Sequence, residues 1–248
     1  FRRGDLYDQK KYFKTINRFN ALNAWRLTNI ESFPRRNEDT ADFVIRLTPA
    51  RKYSFTANIE GTRNQNALSG NLFGIGFNLG LQNRNFAKAA NQANTNIRFG
   101  VELSDSSLIQ TRQLSVSHNI YFPRPVPNTS WIPAKLLDNF RTILSFNAAI
   151  TERLNLFNLS TINASWGYEF QASGKKPNTN YTFTFRLPNI EYSTLKPRPQ
   201  LDTLFKYNPA LRNIFTDGFI SSIIAGMTRT SEKNKNVNIF IKKKKIAF

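Results

Sequence analysis

The sequence predicts a mostly β protein, with an antiparallel transmembrane β-barrel preceded by a small α+β module. First, from Tyr53 onward large apolar residues occupy every second position in eight or nine segments, which turn-rich stretches separate. Second, the positions between them hold Ser, Thr, Asn, Gly and Gln, whereas a soluble β-sandwich would place mostly Lys and Glu there. Third, aromatic residues lie near the ends of predicted strands, as in Tyr121–Phe122, which is typical of the girdles at membrane interfaces.

The first 50 residues predict the α+β module, and residues 51–248 predict the barrel part. Apolar spacing from Tyr7 to Leu22 fits one helical face, which Asp5 or Asp8 caps and Asn23 ends. The segments WRLTNIES and ADFVIRLTP then predict two strands, joined by a polar turn. One helix and two strands bury little surface, so we expect the opening part of this module to be missing from the chain.

The barrel strands follow in order, each with its apolar residues on one side. They are predicted at Phe55 to Ile59, Phe73 to Leu81, Ile97 to Leu103, Leu114 to Phe122, Leu144 to Ile150, Ile162 to Phe170, Tyr181 to Leu187, Phe219 to Met227 and, more weakly, Val237 to Ile241. His118 is expected to be a strand residue with a satisfied ring. The segment NLFGIGFNLGLQN contains Gly74, Gly76 and Gly80, but no helix pattern follows it, so it predicts a strand and not a phosphate-binding loop.

Composition restricts the chemistry. The chain has no cysteine and one histidine, and its carboxylates are scattered, so we expect neither an enzyme nor a cofactor or metal site. The 35 Lys and Arg against 16 Asp and Glu give a net charge of +19, which indicates a polyanionic neighbour. An anionic membrane surface is favoured over nucleic acid, because the basic residues fall mostly in turns and at strand ends. Four polar-face residues are expected to form charge ladders: Arg98, Glu102, Glu169 and Arg186.

Several segments resemble the BamA/TamA superfamily of outer-membrane assembly proteins, in its Bacteroidota branch. RRGDLYDQKKYFKTINRFNALNAWRLTNIE resembles the end of a POTRA module, the periplasmic repeat of that family, and LTPARKYSFTANIEGTRNQ resembles its junction with the first barrel strand. GIGFNLGLQNRNFAKAANQANTNIRFGVEL is similar to the next two strands, and RQLSVSHNIYFPR and YNPALRNIFTDGFI also fit that branch. The resemblance covers residues 1 to about 230.

This resemblance implies an outer-membrane insertase of a Gram-negative bacterium, with its POTRA part in the periplasm. It implies a lateral gate formed by the first barrel strand: Tyr53, Ser54, Phe55, Thr56, Ala57, Asn58 and Ile59. It also implies a client-binding POTRA edge strand: Trp25, Arg26, Leu27, Thr28, Asn29, Ile30 and Glu31. The implied partners are client outer-membrane proteins, accessory assembly proteins or lipoproteins, the lipid bilayer and lipopolysaccharide, and no nucleic acid.

The chain also departs from the family pattern. The family barrel has about sixteen strands, and the Arg-Gly-Phe motif of its lid loop is absent here, so we expect this chain to be part of a longer protein. The four lysines Lys242 to Lys245 would be costly on a lipid-facing midplane, at roughly 2–4 kcal/mol each. The alternative is a passive outer-membrane channel or structural barrel that has the same walls and no client.

Overall fold

The structure is a computed structural model that describes residues 4–66, 70–104, 107–127, 140–154, 156–173, 179–207, 217–232 and 238–246. The chain divides into two compact units. The first consists of Phe1–Ser54 and Gln82–Ala93, and the second of Phe55–Leu81 and Asn94–Phe248. Within the described residues, no helix is long and apolar enough to cross a membrane.

The first unit begins with helix α1, Gln9–Ala21. The carboxylate of Asp8 caps it by accepting hydrogen bonds from the backbone N–H groups of Lys10 and Lys11. The helix ends at Leu22, and the next residue, Asn23, has the left-handed φ of 51°. Asparagine tolerates that conformation better than most residues do, so the predicted stop is confirmed, and of the two predicted caps, Asp5 and Asp8, the structure has Asp8.

An antiparallel hairpin follows the helix, formed by β1 (Trp25–Pro34) and β2 (Ala41–Pro49). Both predicted strands are confirmed. At the hairpin turn, Arg35 donates two hydrogen bonds to the carboxylate of Asp42, at 2.9 and 3.0 Å. These bonds raise the pKa of the Arg35 guanidinium above its ordinary value.

The second sheet has nine strands, and every strand pairs with its neighbours in sequence. The strands are β3 (Tyr53–Asn66), β4 (Gly70–Phe86), β5 (Asn91–Ser104), β6 (Ser107–Phe122), β7 (Arg141–Arg153), β8 (Phe157–Ser173), β9 (Thr179–Pro197), β10 (Gly218–Glu232) and β11 (Asn238–Ile246). The prediction of a mostly β chain with an antiparallel sheet is therefore confirmed. The edges of this sheet are β3 and β11, which do not pair with each other in the part of the chain that is described.

One face of the nine-stranded sheet is apolar and exposed, and we call it the apolar face. Its exposed residues include Phe55, Ile59, Phe73, Ile75, Phe77, Leu81, Ile97, Phe99, Leu114, Val116, Phe146, Ile150, Ile162, Phe185, Tyr192, Phe219 and Met227. An exposed apolar surface of this extent is unfavourable in water and marks a membrane or a protein contact. The opposite, polar face carries small and polar residues such as Gly74, Ser117 and Asn163, as the alternation predicts.

A β-bulge at Leu187 and Pro188 keeps the two faces of β9 in order. Arg186 pairs with Gly167 and Ile224, whereas Asn189 pairs with Ser165 and Ser222, so β9 has two residues where each neighbour has one. The extra residue moves the polar face from even positions to odd positions. The alternation in the sequence predicts that this strand ends at Leu187, and this prediction is wrong, because proline is tolerated inside a sheet at a bulge.

The structure extends or adds two further elements. The last strand was predicted at Val237 to Ile241, of which Val237 lies outside the described residues. Strand β11 runs from Asn238 through the lysines to Ile246, with Lys242 opposite Thr228. The nine-residue helix α2 (Pro199–Tyr207), which the sequence analysis did not predict, lies between β9 and β10. Its sequence signals are a proline at the first helical position and a lysine, Lys206, in the last turn.

The turn between β4 and β5 holds non-glycine residues in a left-handed conformation. Ala87 and Lys88 have φ values of 54° and 55°, and the N–H of Ala89 donates to the carbonyl of Phe86 at 3.4 Å. This is the pattern of a type I′ turn, which favours Asn-Gly, because a β-carbon is strained at positive φ. The turn therefore stores backbone strain.

Replacing Lys88 by glycine should relieve part of this strain. We expect Lys88→Gly to stabilise the chain by about 1 kcal/mol, measured as an increase in the urea midpoint of unfolding in detergent micelles. The control is Ala89→Gly, which lies beside the strained pair without a positive φ and should not stabilise the chain. An equal gain in both variants would contradict the assignment of strain to Lys88.

Candidate functional site

The candidate site is the open edge of β3. This strand is hydrogen-bonded to β4 on one side, and no described strand pairs with its other side. Its side chains are also uncovered, since Phe55 is 67% exposed and Ile59 is 79% exposed. In the predicted gate segment Tyr53 to Ile59, Ser54 alone is partly buried and the other six residues are exposed.

The pairing of β3 with β4 fixes which backbone groups face the open edge. The N–H of Arg84 donates to the carbonyl of Lys52 at 2.8 Å, which makes these two residues a hydrogen-bonded pair. The same register continues along the strand, because a β-carbon built on Gly80 would lie 3.8 Å from the β-carbon of Thr56. Hydrogen-bonded pairs recur at every second residue of an antiparallel ladder.

The even-numbered residues of β3 therefore direct their N–H and C=O groups toward β4. The odd-numbered residues direct theirs to the open edge, and these residues are Tyr53, Phe55, Ala57 and Ile59. Their side chains lie on the apolar face of the sheet. The open edge thus presents regularly spaced backbone donors and acceptors beside apolar side chains, which is the arrangement that recruits another strand.

On the polar face next to this edge, polar and charged side chains form hydrogen bonds between β3, β4 and β5. The carboxylate of Glu60 on β3 accepts a hydrogen bond from the amide of Asn78 on β4, and another from Arg98 on β5 at 3.1 Å. Gly74 and Gly76 of β4 are buried, and they line a cleft together with Glu60, Arg98 and Glu102, among other residues. A β-carbon on Gly74 would clash with the hydroxyl oxygen of Thr62, so the close approach of β3 favours glycine there, whereas one on Gly76 would make ordinary contact with Glu60 at 3.6 Å. The segment is a strand and not a phosphate-binding loop.

Further along the sheet, three amide side chains and one hydroxyl form a hydrogen-bonded series across four strands, which we call the amide ladder. Asn147 on β7 donates to Asn163 on β8 at 3.2 Å, Asn163 donates to Asn189 on β9 at 3.1 Å, and Asn189 donates to Ser222 on β10 at 3.0 Å. Each bond joins neighbouring strands on the polar face. The ladder therefore stabilises β7 to β10 by side-chain bonds in addition to the backbone bonds.

The second predicted segment, Trp25 to Glu31, lies in β1 of the first unit. Strand β1 pairs with β2 alone among the described strands, and a register irregularity separates Trp25 from Leu27. The hydroxyl of Tyr12 in α1 donates to the carbonyl of Ile30 at 2.8 Å, so one backbone acceptor of the strand is already engaged. Glu31 is paired with Arg46 of β2 at 3.4 Å.

An aromatic cluster occupies the apolar face at the end of the sheet where β7 and β9 begin. Its rings belong to Phe140, Tyr168, Phe170, Tyr181, Phe183 and Phe185, and neighbouring centroids lie 5.3 to 6.4 Å apart. The hydroxyl of Tyr168 donates to the carbonyl of Val126 at 3.3 Å, which holds the segment after β6 against this end. Aromatic residues were predicted near strand ends, and this cluster lies at such an end, but the predicted pair Tyr121–Phe122 is not part of it, because Phe122 stacks on Trp166 with the centroids 6.3 Å apart.

The fold brings some of the residues that were predicted to form charge ladders close to a partner. Arg98 and Glu102 line the same cleft, and Arg98 pairs with Glu60. Glu169 lies in register with Arg141, a residue that the sequence analysis did not single out. His118 is a strand residue whose Nδ1 lies 2.8 Å from the hydroxyl of Thr95, as expected for a satisfied ring.

No group of three or more His, Asp or Glu residues within the described ranges is placed to hold a metal ion.

No family model matches the chain, and no curated protein matches it by sequence. Its fold is similar to a crystal structure of BamA from Haemophilus ducreyi lacking POTRA domains 1–3, with a TM-score of 0.51. The two chains are 12% identical, and the match covers 94% of this chain and 40% of that one. At this identity the similarity is one of fold, and this chain spans about two-fifths of the length of the BamA chain.

Proposed function

We propose that this chain is the POTRA-to-barrel part of an outer-membrane assembly factor of the BamA/TamA type, in its Bacteroidota branch. The observation that carries the proposal is the open edge of β3, which presents unpaired backbone groups beside exposed apolar side chains. The similarity of the fold to a BamA chain supports it. The first unit has the order helix, strand and strand, and this is the order expected at the end of a POTRA module.

The proposed mechanism is templating by the backbone, without a covalent step. In the hydrocarbon core an unpaired N–H or C=O group costs several kcal/mol, so a strand entering the membrane alone faces a large barrier. The open-edge groups of Phe55, Ala57 and Ile59 offer that strand partners at the spacing of an antiparallel ladder. The apolar side chains of the same residues keep this edge in contact with lipid while the incoming strand pairs.

The proposed setting is the outer membrane of a Gram-negative bacterium, with the first unit in the periplasm. The clients would be other outer-membrane proteins, and β1 would bind client segments by the same edge pairing. Accessory assembly proteins or lipoproteins would bind the periplasmic part. Lipid and lipopolysaccharide would cover the apolar face, whose exposed aromatic and aliphatic residues suit hydrocarbon.

The proposal is tested by reconstituting the purified chain in liposomes and adding an unfolded outer-membrane barrel protein as the client. We expect the client to fold faster than in empty liposomes, measured by protease protection and by the shift of the folded band on unheated gels. Liposomes that contain an unrelated barrel protein are the control. Ion conductance of the liposomes without faster folding of the client would contradict the proposal and favour a passive channel or structural barrel.

A further inference from the structure

We infer that Arg229 and Tyr181 form a binding site for the phosphate of an anionic phospholipid at one rim of the apolar face. This inference rests on the proposed function to the extent that the chain must lie in a bilayer. It goes further because it names a discrete lipid site on β9 and β10, strands that the gate mechanism does not use.

The position of Arg229 is the first observation. Arg229 is opposite Tyr181 in the register of β10 and β9, and Tyr181 is opposite Ala172 of β8. Tyr181 belongs to the aromatic cluster on the apolar face, with its ring 6.4 Å from that of Phe183. The guanidinium carbon of Arg229 lies 6.0 Å from the centroid of the Tyr181 ring, so the cation is on the apolar face as well.

The hydrogen bonding of Arg229 is the second observation. Its Nε atom is shielded from solvent and has no hydrogen-bond acceptor among the described residues. A guanidinium presents five N–H donors in a planar fork that matches the oxygens of a phosphate. A ring face under the cation stabilises the charge without supplying an acceptor, so the contact with Tyr181 does not satisfy the guanidinium donors.

The surroundings identify the ligand as a lipid and not a soluble phosphate. The site adjoins a series of rings from Tyr181 through Phe183 and Phe170 to Phe140, and such a belt lies at the level of lipid headgroups. The connections between β8 and β9 and between β10 and β11 are basic in sequence, with Lys175 and Lys176 in the first and Lys233 and Lys235 in the second, and these lysines lie outside the described residues. A headgroup phosphate held by Arg229 would leave its acyl chains against the adjacent apolar residues.

Native mass spectrometry of the whole chain, released from micelles with increasing lipid, tests the inference. We expect phosphatidylglycerol to bind more tightly than zwitterionic phosphatidylcholine. In Arg229→Gln, the affinity for the first bound phosphatidylglycerol molecule should fall about fivefold. Arg229→Lys should retain part of the preference because it keeps the charge. The matched control is Arg186→Gln, on the polar face of β9, which should leave lipid binding unchanged.

Three results would overturn the inference: unchanged lipid binding in Arg229→Gln, an equal loss in Arg186→Gln, or equally tight binding of soluble glycerol phosphate. Circular dichroism of each variant checks that the sheet is folded. If Arg229→Gln proves unfolded, the binding of phosphatidylglycerol is compared between the wild type, Arg229→Lys and Arg186→Gln. The inference then requires weaker binding in Arg229→Lys than in the other two proteins. The assay does not depend on client folding. A chain that selects phosphatidylglycerol but fails to speed client folding would contradict the proposed function and leave the lipid site standing.

Discussion

Ala57→Pro is expected to slow client folding in reconstituted liposomes by at least about tenfold, while leaving the nine-stranded sheet folded. Ala57 directs its N–H to the open edge of β3, where no described strand pairs with it. Proline removes that donor, and its ring obstructs the approach of an incoming strand. Loss of one backbone hydrogen bond in hydrocarbon costs more than the 1.36 kcal/mol that corresponds to a factor of ten in rate.

The neighbouring residue supplies the control. Thr56 directs its N–H toward β4, so Thr56→Pro removes a bond within the sheet and should lower the stability of the chain itself. Client-folding rates and urea unfolding, measured on both variants, separate the two effects. If Ala57→Pro stays folded and inserts clients at the wild-type rate, the open edge is not the templating surface.

Gly167→Ala is expected to destabilise the chain by about 2–3 kcal/mol, because the added methyl group has no space. A β-carbon at Gly167 would lie 2.6 Å from the backbone carbonyl oxygen of Phe185 and 3.1 Å from the Cγ atom of Arg186. The first of these neighbours is backbone, so it cannot rotate away. Relief would require β8 and β9 to separate next to the bulge.

Urea unfolding in micelles measures this effect, with Gly226→Ala as the matched control. Gly226 lies on the polar face of the next strand, and the nearest atom to an added β-carbon is 4.0 Å away. We expect the control to change the free energy of unfolding by no more than about 0.5 kcal/mol. Equal losses in the two variants would show that a general preference against alanine, and not the close approach of Phe185, determines the result.

The strands could be predicted because each has one apolar face, and alternation at a period of two is visible in the sequence. Helix α1 was also predictable, since Asp8 and Asn23 are typical residues at helix ends. Helix α2 was missed because it is short and lies among turn residues. The continuation of β9 past Pro188 was missed because the rule that proline ends a strand fails at a bulge.

The candidate site was only partly predictable. The sequence marks Tyr53 to Ile59 as a strand, and its resemblance to a family suggested a gate, but alternation of side chains does not show which backbone groups face an open edge. That depends on the register with β4, which the bond from Arg84 to Lys52 establishes. The role of Glu60 was also hidden, because its partners Asn78 and Arg98 are 18 and 38 residues away in sequence.

The bulge in β9 has a consequence for how this sheet tolerates changes in length. Side chains along a strand alternate between the two faces of the sheet. Inserting one residue therefore moves every later side chain to the opposite face, whereas inserting two residues leaves each on its original face. Leu187 and Pro188 together oppose a single residue on each neighbouring strand, so one insertion is absorbed locally and Asn189 returns to the polar face. The sequence of β9 thus changes the parity of its apolar positions at the same place where the bulge compensates for the change. Removing one of the two bulge residues would leave a regular strand, with Ile190 and Tyr192 still on the apolar face.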